Sequence, residues 1–366
     1  MARLAFPDDY WLAVNVMGLY WLLGRDDDAR ELIDELERIR PGFYLNAWQR
    51  AFHELLSVGD MTAAECHFAE ALRRNPHIPL PIAALAPALT RWSERNLEEA
   101  LTMMDDLVFD RFDELPPVGK DQALTFRSRL LADMQDVDAS YSDQRRAAAL
   151  HESSSPWRWH HELELGLFVL DISPAKGTEI LQGLTSISSS LYRVQAHGWL
   201  GVHAARQGDD DRARSHLGAL TEVAFDGGWE WGYPARPGFD RAQAVFPMLI
   251  GAHLAMRRGN FTSALRSFSR AQRAAPTRLA VVPVVSIDGR ANLEATEGVS
   301  LAAAARGNTA VAHAADLWVT EHPLECAILS QAGARYGHRA TNRLRQSAGT
   351  SSATPIEKSS MLTFPE

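Results

Sequence analysis

From Gly259 to Pro276 the chain reads GNFTSALRSFSRAQRAAP, and Ala264, Phe268 and Ala271 fall on one face of the helix that this 3.6-residue periodicity predicts. The segment GDMTAAECHFAEALRRNP repeats the same frame at Gly59, Ala64, Phe68, Ala71 and Pro76. Gly24, Ala29, Ile33, Leu36 and Pro41 carry it with larger side chains, Gly208 with Ala213 and Gly307 with Ala312 keep its glycine and alanine, and Ala100 keeps the alanine alone. Each position has a physical reason. Glycine enters the left-handed conformation that ends one helix, and the acids that follow (Asp26 to Asp28, Asp60, Asp209 to Asp211) favour the start of the next. A small residue five positions on lets the two helices approach, the apolar residue four later fills the space between them, and proline stops the second helix. The pattern predicts an all-α chain, an α-solenoid of stacked antiparallel helix pairs.

Helical periodicity continues between these copies. DQALTFRSRLLADM with YSDQRRAAALHES, and HHELELGLFVLD with PAKGTEILQGLTSI, each read as a helix pair, with Ser155-Pro156 and Ser173-Pro174 as breaks. The exception is RLAVVPVVSID (Arg278 to Asp288), where Pro283 interrupts a β-branched run; a short extended loop and a buried helix start both fit. From Gln346 the Ser/Thr-rich QSAGTSSATPIEKSSMLTFPE lacks periodicity and is expected to be disordered. The division is therefore a repeat domain over residues 1–345, clearest at 10–41, 42–76 and 245–276, and a tail over 346–366.

The stretch from Ala47 to Pro76, with Trp48 and Phe52 on its first helix and the Gly, Ala, Phe, Ala, Pro series behind them, resembles the tetratricopeptide repeat (TPR) family, and Gly259 to Pro276 is similar. The resemblance runs from about Tyr10 to about Pro323 and implies a right-handed superhelix whose concave face is lined by the first helix of each pair. Gly24 to Gly59 spans 35 residues, near the family period, whereas Gly208 to Gly259 spans 51 and Gly259 to Gly307 spans 48, so the extra length belongs in longer helices or loops. The resemblance further implies a protein or peptide partner held on the concave face, with scaffolding or sensing as the function. Chaperone-binding members of the family hold a terminal carboxylate with Lys, Asn and Arg; the corresponding faces here offer Asn15, Asn46, Gln49, Arg50 and His53, and no lysine. A second likeness, of Glu321 to Gln346 to the region before the DNA-binding domain of large LuxR-type bacterial regulators, implies a stand-alone or truncated module of transcription regulation with no direct nucleic-acid contact.

DGGWEWGYPARPGF (Asp226 to Phe239) sets Trp229, Trp231, Tyr233 and Phe239 among glycines and prolines, so a loop is expected that either packs its rings or presents them. A small-molecule or catalytic pocket beside this loop, with His253, is the third functional alternative. In WRWHHELE (Trp157 to Glu164), His160 and Glu164 lie one helical turn apart beside His161, without the spacing of a zinc-protease motif, and read as packing residues. Phosphate-loop, dinucleotide and nucleophile-elbow motifs are missing from the sequence, so no catalytic residue, cofactor or metal is assigned. Cys66 and Cys326 form no framework or zinc spacing, and no run of about 18 apolar residues occurs. A reduced, cytoplasmic setting away from membranes is expected, and 34 Arg against 3 Lys fits GC-rich bacterial coding. The net charge of −9 is uneven: residues 235–345 hold 14 Arg against 7 acids, a surplus that either meets an acidic partner or is solvated.

Overall fold

In the computed structural model, the described residues are 8–23, 25–54, 60–75, 81–227, 229–230, 233–234, 236–275, 283–321 and 332–347. Eight helix pairs follow one another: α1 (Tyr10–Leu23) with α2 (Asp26–Ile39), α3 (Tyr44–His53) with α4 (Met61–Arg74), α5 (Pro81–Ser93) with α6 (Leu97–Asp105), α7 (Pro117–Asp133) with α8 (Val137–Ala149), α9 (Pro156–Leu170) with α10 (Pro174–Gly183), α11 (Ser190–Gln207) with α12 (Asp210–Glu222), α13 (Arg236–Arg257) with α14 (Phe261–Ala274), and α15 (Pro283–Ala305) with α16 (Thr309–Glu321). A last helix, α17 (Gly333–Ser347), has no mate among the described residues. None of the described helices is long and apolar enough to cross a membrane.

The turns work as the sequence predicts. Gly208 ends α11 in the left-handed conformation, φ 84°, and Asp209 then accepts from the Arg212 N–H as the cap of α12. Asp60, Asp136 and Asn260 cap α4, α8 and α14 in the same way. Two further turns use the left-handed region without glycine, at Arg95 (φ 62°) and Gln135 (φ 67°). Counting from Arg95 leads to the expected Ala100, and counting from Gln135 leads to Ser140, so the frame continues through copies whose glycine is lost.

Eight times, then, a small residue lies five positions after the turn: Ala29, Ala64, Ala100, Ser140, Gly177, Ala213, Ala264 and Ala312, all buried. At Gly177 a Cβ would run into the backbone of Leu170, so the two helices of the fifth pair approach too closely for a side chain there. The filler position four residues later is apolar in six pairs and polar in two, Gln144 and Asp316. The apolar fillers join a large continuous core from α9 to α15, a smaller one over α3 to α7 and, at Ile33, a third over the first pair. In the second pair Trp48, Phe52 and Phe68 meet edge to face, 4.8–5.8 Å apart.

The extra length after Gly208 is in longer helices, 22 residues in α13 and 23 in α15, and in a small hairpin. Trp229–Glu230 (β1) pairs antiparallel with Tyr233–Pro234 (β2), so the expected irregular loop contains two short strands. The loop also ends earlier than expected, because α13 begins at Arg236; Pro237 lies in the first turn, where its missing N–H costs nothing. Of the two readings of Arg278 to Asp288, the helix start holds from Pro283, and residues 278–282 lie outside the described residues. Helix α17 runs to Ser347; the rest of the expected tail, 348–366, is outside them as well.

Candidate functional site

Helix α17 lies against the odd-numbered helices α7, α9 and α15 and against α16. Arg335 donates to the Phe168 carbonyl at the end of α9 (3.0 Å) and lies 3.6 Å from Asp171. Tyr336 donates to Glu294 of α15 (2.6 Å), and Arg339 grips Glu297 of α15 with two bonds of 2.8 Å. Arg343 joins Glu297 to Asp316, the polar filler of the eighth pair, at 2.8 and 2.7 Å. At its start Ala334 packs in the core with Trp92 and Leu130, and His338 donates to the Asp133 carbonyl at the end of α7 (3.1 Å). Arginines 335, 339 and 343 repeat every four residues, so one stripe of the helix meets one row of acids. Part of the C-terminal arginine surplus is thus spent inside the molecule.

Helices α15 and α9 also touch one another directly. Arg290 of α15 lies 3.0 Å from Glu164 of α9, three pairs away, and both side chains are almost wholly buried. Burial lowers the affinity of Arg290 for its proton, and Glu164 opposes that shift. His160 lies one turn from Glu164; burial drives its imidazole well below the ordinary value, and His161, Arg290 and Arg129 push the same way. Burial would raise the carboxyl of Glu294, but Arg206, His253 and Tyr336 outweigh it and hold the group below the usual carboxylate range. Desolvating such ions costs about as much as their attraction returns. They define where α9, α11, α13 and α15 sit more than they stabilise the fold. The cavity left between α9, α11, α15 and α17 is about 30 Å³, room for a water and not for a metabolite.

No sequence family matches the chain, and no curated protein does. Solved structures do. The apo form of RapI aligns over 92% of this chain and 98% of its own with a TM-score of 0.50 at 12% identity. The TPR domain of P58(IPK) covers 93% and 99% at 14% identity with a TM-score of 0.24, and yeast Tom70 covers 92% and 96% at 10% with 0.23. The chain has a TPR-like fold.

Within this TPR-like solenoid the polar residues expected on the concave face separate. Asn15 is exposed on α1. Asn46 and His53 are buried: their side of α3 packs on α1, where Asn46 accepts from the Tyr10 hydroxyl (3.0 Å) and His53 from the Trp21 indole (3.4 Å). Gln49 is buried on the same helix, and Arg50 pairs with Asp34 of α2 at 2.7 Å. The polar stripe satisfies the polar tips of the neighbouring pair's aromatics. Of the aromatic segment, Phe239 is a core residue, 5.3 Å from Phe225, and Trp229 and Tyr233 belong to the hairpin. Trp231 lies outside the described residues. His253 is buried and donates to Glu294 (2.7 Å).

The WRWHHELE segment holds the arrangement that sequence reasoning missed. His161 donates to Asp121 of α7 through Nε2 (2.7 Å), and His151, on the turn after α8, donates to the same oxygen (2.5 Å). Burial raises the Asp121 carboxyl, yet the two imidazoles, His161 foremost, bring it down to about 2. The three residues come from two helices and a turn, 10 to 40 positions apart, a separation no linear motif reports. The available signal was Gln144, a polar residue in the filler position, and it donates to His161 Nδ1 (3.0 Å).

Proposed function

We propose that the protein is a non-catalytic helical-repeat scaffold or sensor that takes a protein or peptide segment onto the inner face of its solenoid. Helix α17 carries this reading. An amphipathic, arginine-rich helix is already seated there, held by Asp171, Glu294 and Glu297, so the face has the width and the charge for a helical segment. A partner helix with basic residues four apart would meet the same acids once α17 moves aside. Asn15 and Arg50 extend the contact surface at the N-terminal end.

The test begins with capture from native lysate by the intact protein and by an Arg339→Glu/Arg343→Glu variant that loosens α17, with the captured protein identified by mass spectrometry. Hydrogen exchange on the purified complex then locates it. The reading requires protection on α7, α9 and α15 and tighter capture by the variant. Protection confined to the even-numbered helices would overturn it.

A further inference from the structure

We propose that Asp121, His151 and His161 form a binding site for a divalent transition-metal ion with the coordination preferences of zinc. The site is separate from the partner-binding reading and does not depend on it. The donor set is two imidazoles and one carboxylate, which suits Zn²⁺ and its neighbours and leaves a fourth position for water or an exogenous ligand. The three ligand atoms lie within 4.8 Å of one another. Both Nε2 atoms aim at a single oxygen of Asp121, while its other oxygen has only the Thr125 hydroxyl at 3.4 Å. Two imidazoles crowding one carboxylate oxygen is the convergence that a cation between them relieves. Ligand atoms around Zn²⁺ stand about 3.3 Å apart, so opening the present contacts of 2.5 and 2.7 Å needs shifts of under about 1 Å.

The shell behind His161 fits the metal form. A zinc-bound His161 Nε2 carries no proton, so Nδ1 must carry one and needs an acceptor. Gln144 supplies it. Ser128 Oγ lies 2.8 Å from the Thr125 carbonyl and 3.0 Å from Gln144 Oε1, but its single hydrogen serves only one of them. With the Gln144 amide turned over, Nε2–H donates to Ser128 Oγ, the Ser128 hydrogen goes to Thr125, and Gln144 Oε1 accepts from His161 Nδ1–H. Ser140, in the small position of the same frame, anchors this shell by donating to the Ser128 carbonyl (2.7 Å). The fourth pair thus departs from the repeat at both Ser140 and Gln144, the two positions that support His161.

His151 supplies both entry and adjustment. Its side chain is 17% exposed and sits on a turn, stacked at 5.5 Å on Trp157, whereas Asp121 and His161 are buried. The His151 and His161 rings are nearly parallel, 16° apart, so closing on an ion requires His151 to rotate, and its place on the turn permits that.

The experiment uses the full chain stripped with a chelator and dialysed. Zn²⁺ is titrated by calorimetry, with metal content checked by mass spectrometry, and Co²⁺ serves as an optical probe of coordination. One equivalent of Zn²⁺ per chain, a ligand-field spectrum with Co²⁺ and a rise in unfolding temperature on metal addition are expected. His151→Gln and Asp121→Asn should each weaken Zn²⁺ binding by more than tenfold. His151→Gln lies on a partly exposed turn, so it decides the matter if Asp121→Asn fails to fold. Absence of stoichiometric binding by the folded intact protein overturns the proposal. So does unchanged affinity in folded His151→Gln, which would place the ion elsewhere, as at the exposed Cys66.

Discussion

The seventh and fourth pairs occupy the same frame with different chemistry. After the turn at Gly259 the outer helix buries Ala264, Phe268 and Ala271; after the turn at Gln135 the same places hold Ser140, Gln144 and Ala147. Phe268 packs so closely that a Cβ on Gly298 would enter its ring. Gln144 instead reaches polar partners on two neighbouring helices, Ser128 and His161. A repeat tolerates a polar filler when its neighbours supply the missing hydrogen bonds, and in doing so it becomes a place where titratable groups gather.

The largest expected effect is in the apolar member. Phe268→Ala should cost about 3–5 kcal/mol, because it empties the centre of a core that cannot collapse around rigid helices, and denaturant unfolding measures it. Gln144→Leu sharpens the contrast. Leucine fills the equivalent place in the fifth pair, at Leu181, yet here it should cost about 1–3 kcal/mol, since His161 and Ser128 lose a buried partner. A neutral outcome would show that the polar shell contributes nothing to the fold. Gly177→Ala should also destabilise, by about 1–3 kcal/mol, because the added methyl meets the Leu170 backbone; alanine is the residue that six other pairs use there, so the cost measures how closely the fifth pair is drawn.

Acid tests buried and half-buried histidines of the fifth and sixth pairs. Burial lowers the imidazoles of His160, His197 and His216, the last to about 4, from an ordinary 6.5. The unfolded chain therefore binds more protons below 6.5, and stability should fall as the pH drops from there towards 4. Denaturation midpoints across that window check the sign, and a flat profile would contradict it. The smallest effect is a gain: Gln135→Gly should stabilise by up to about 1 kcal/mol, since φ 67° suits glycine and the weak contact to His338 is exposed.

The solenoid was legible because its rules are local. Glycine, cap and small residue lie within six positions, and the structure follows them even at Arg95, Gln135 and Ser140, where the letters differ but the geometry does not. The site was less legible because it is made by distance. Asn46 and His53 had the polarity and spacing of surface residues, and only the arrival of Tyr10 and Trp21 from α1 turns them inward. Periodicity predicts that α17 is a helix but not that its arginine stripe lies against Asp171 and Glu297. Asp121 and His151 likewise gained meaning only when folding brought them to His161.

Stacked repeats ordinarily behave as a one-dimensional array, each unit feeling its neighbours alone and fraying from the ends. The contact between Arg290 and Glu164 breaks that rule, because it ties the eighth unit to the fifth over the two between them. The C-terminal half is therefore a wound coil fastened to itself. It should lose its structure in one cooperative step and resist being stretched like a spring, while the first pairs remain the extensible part of the chain.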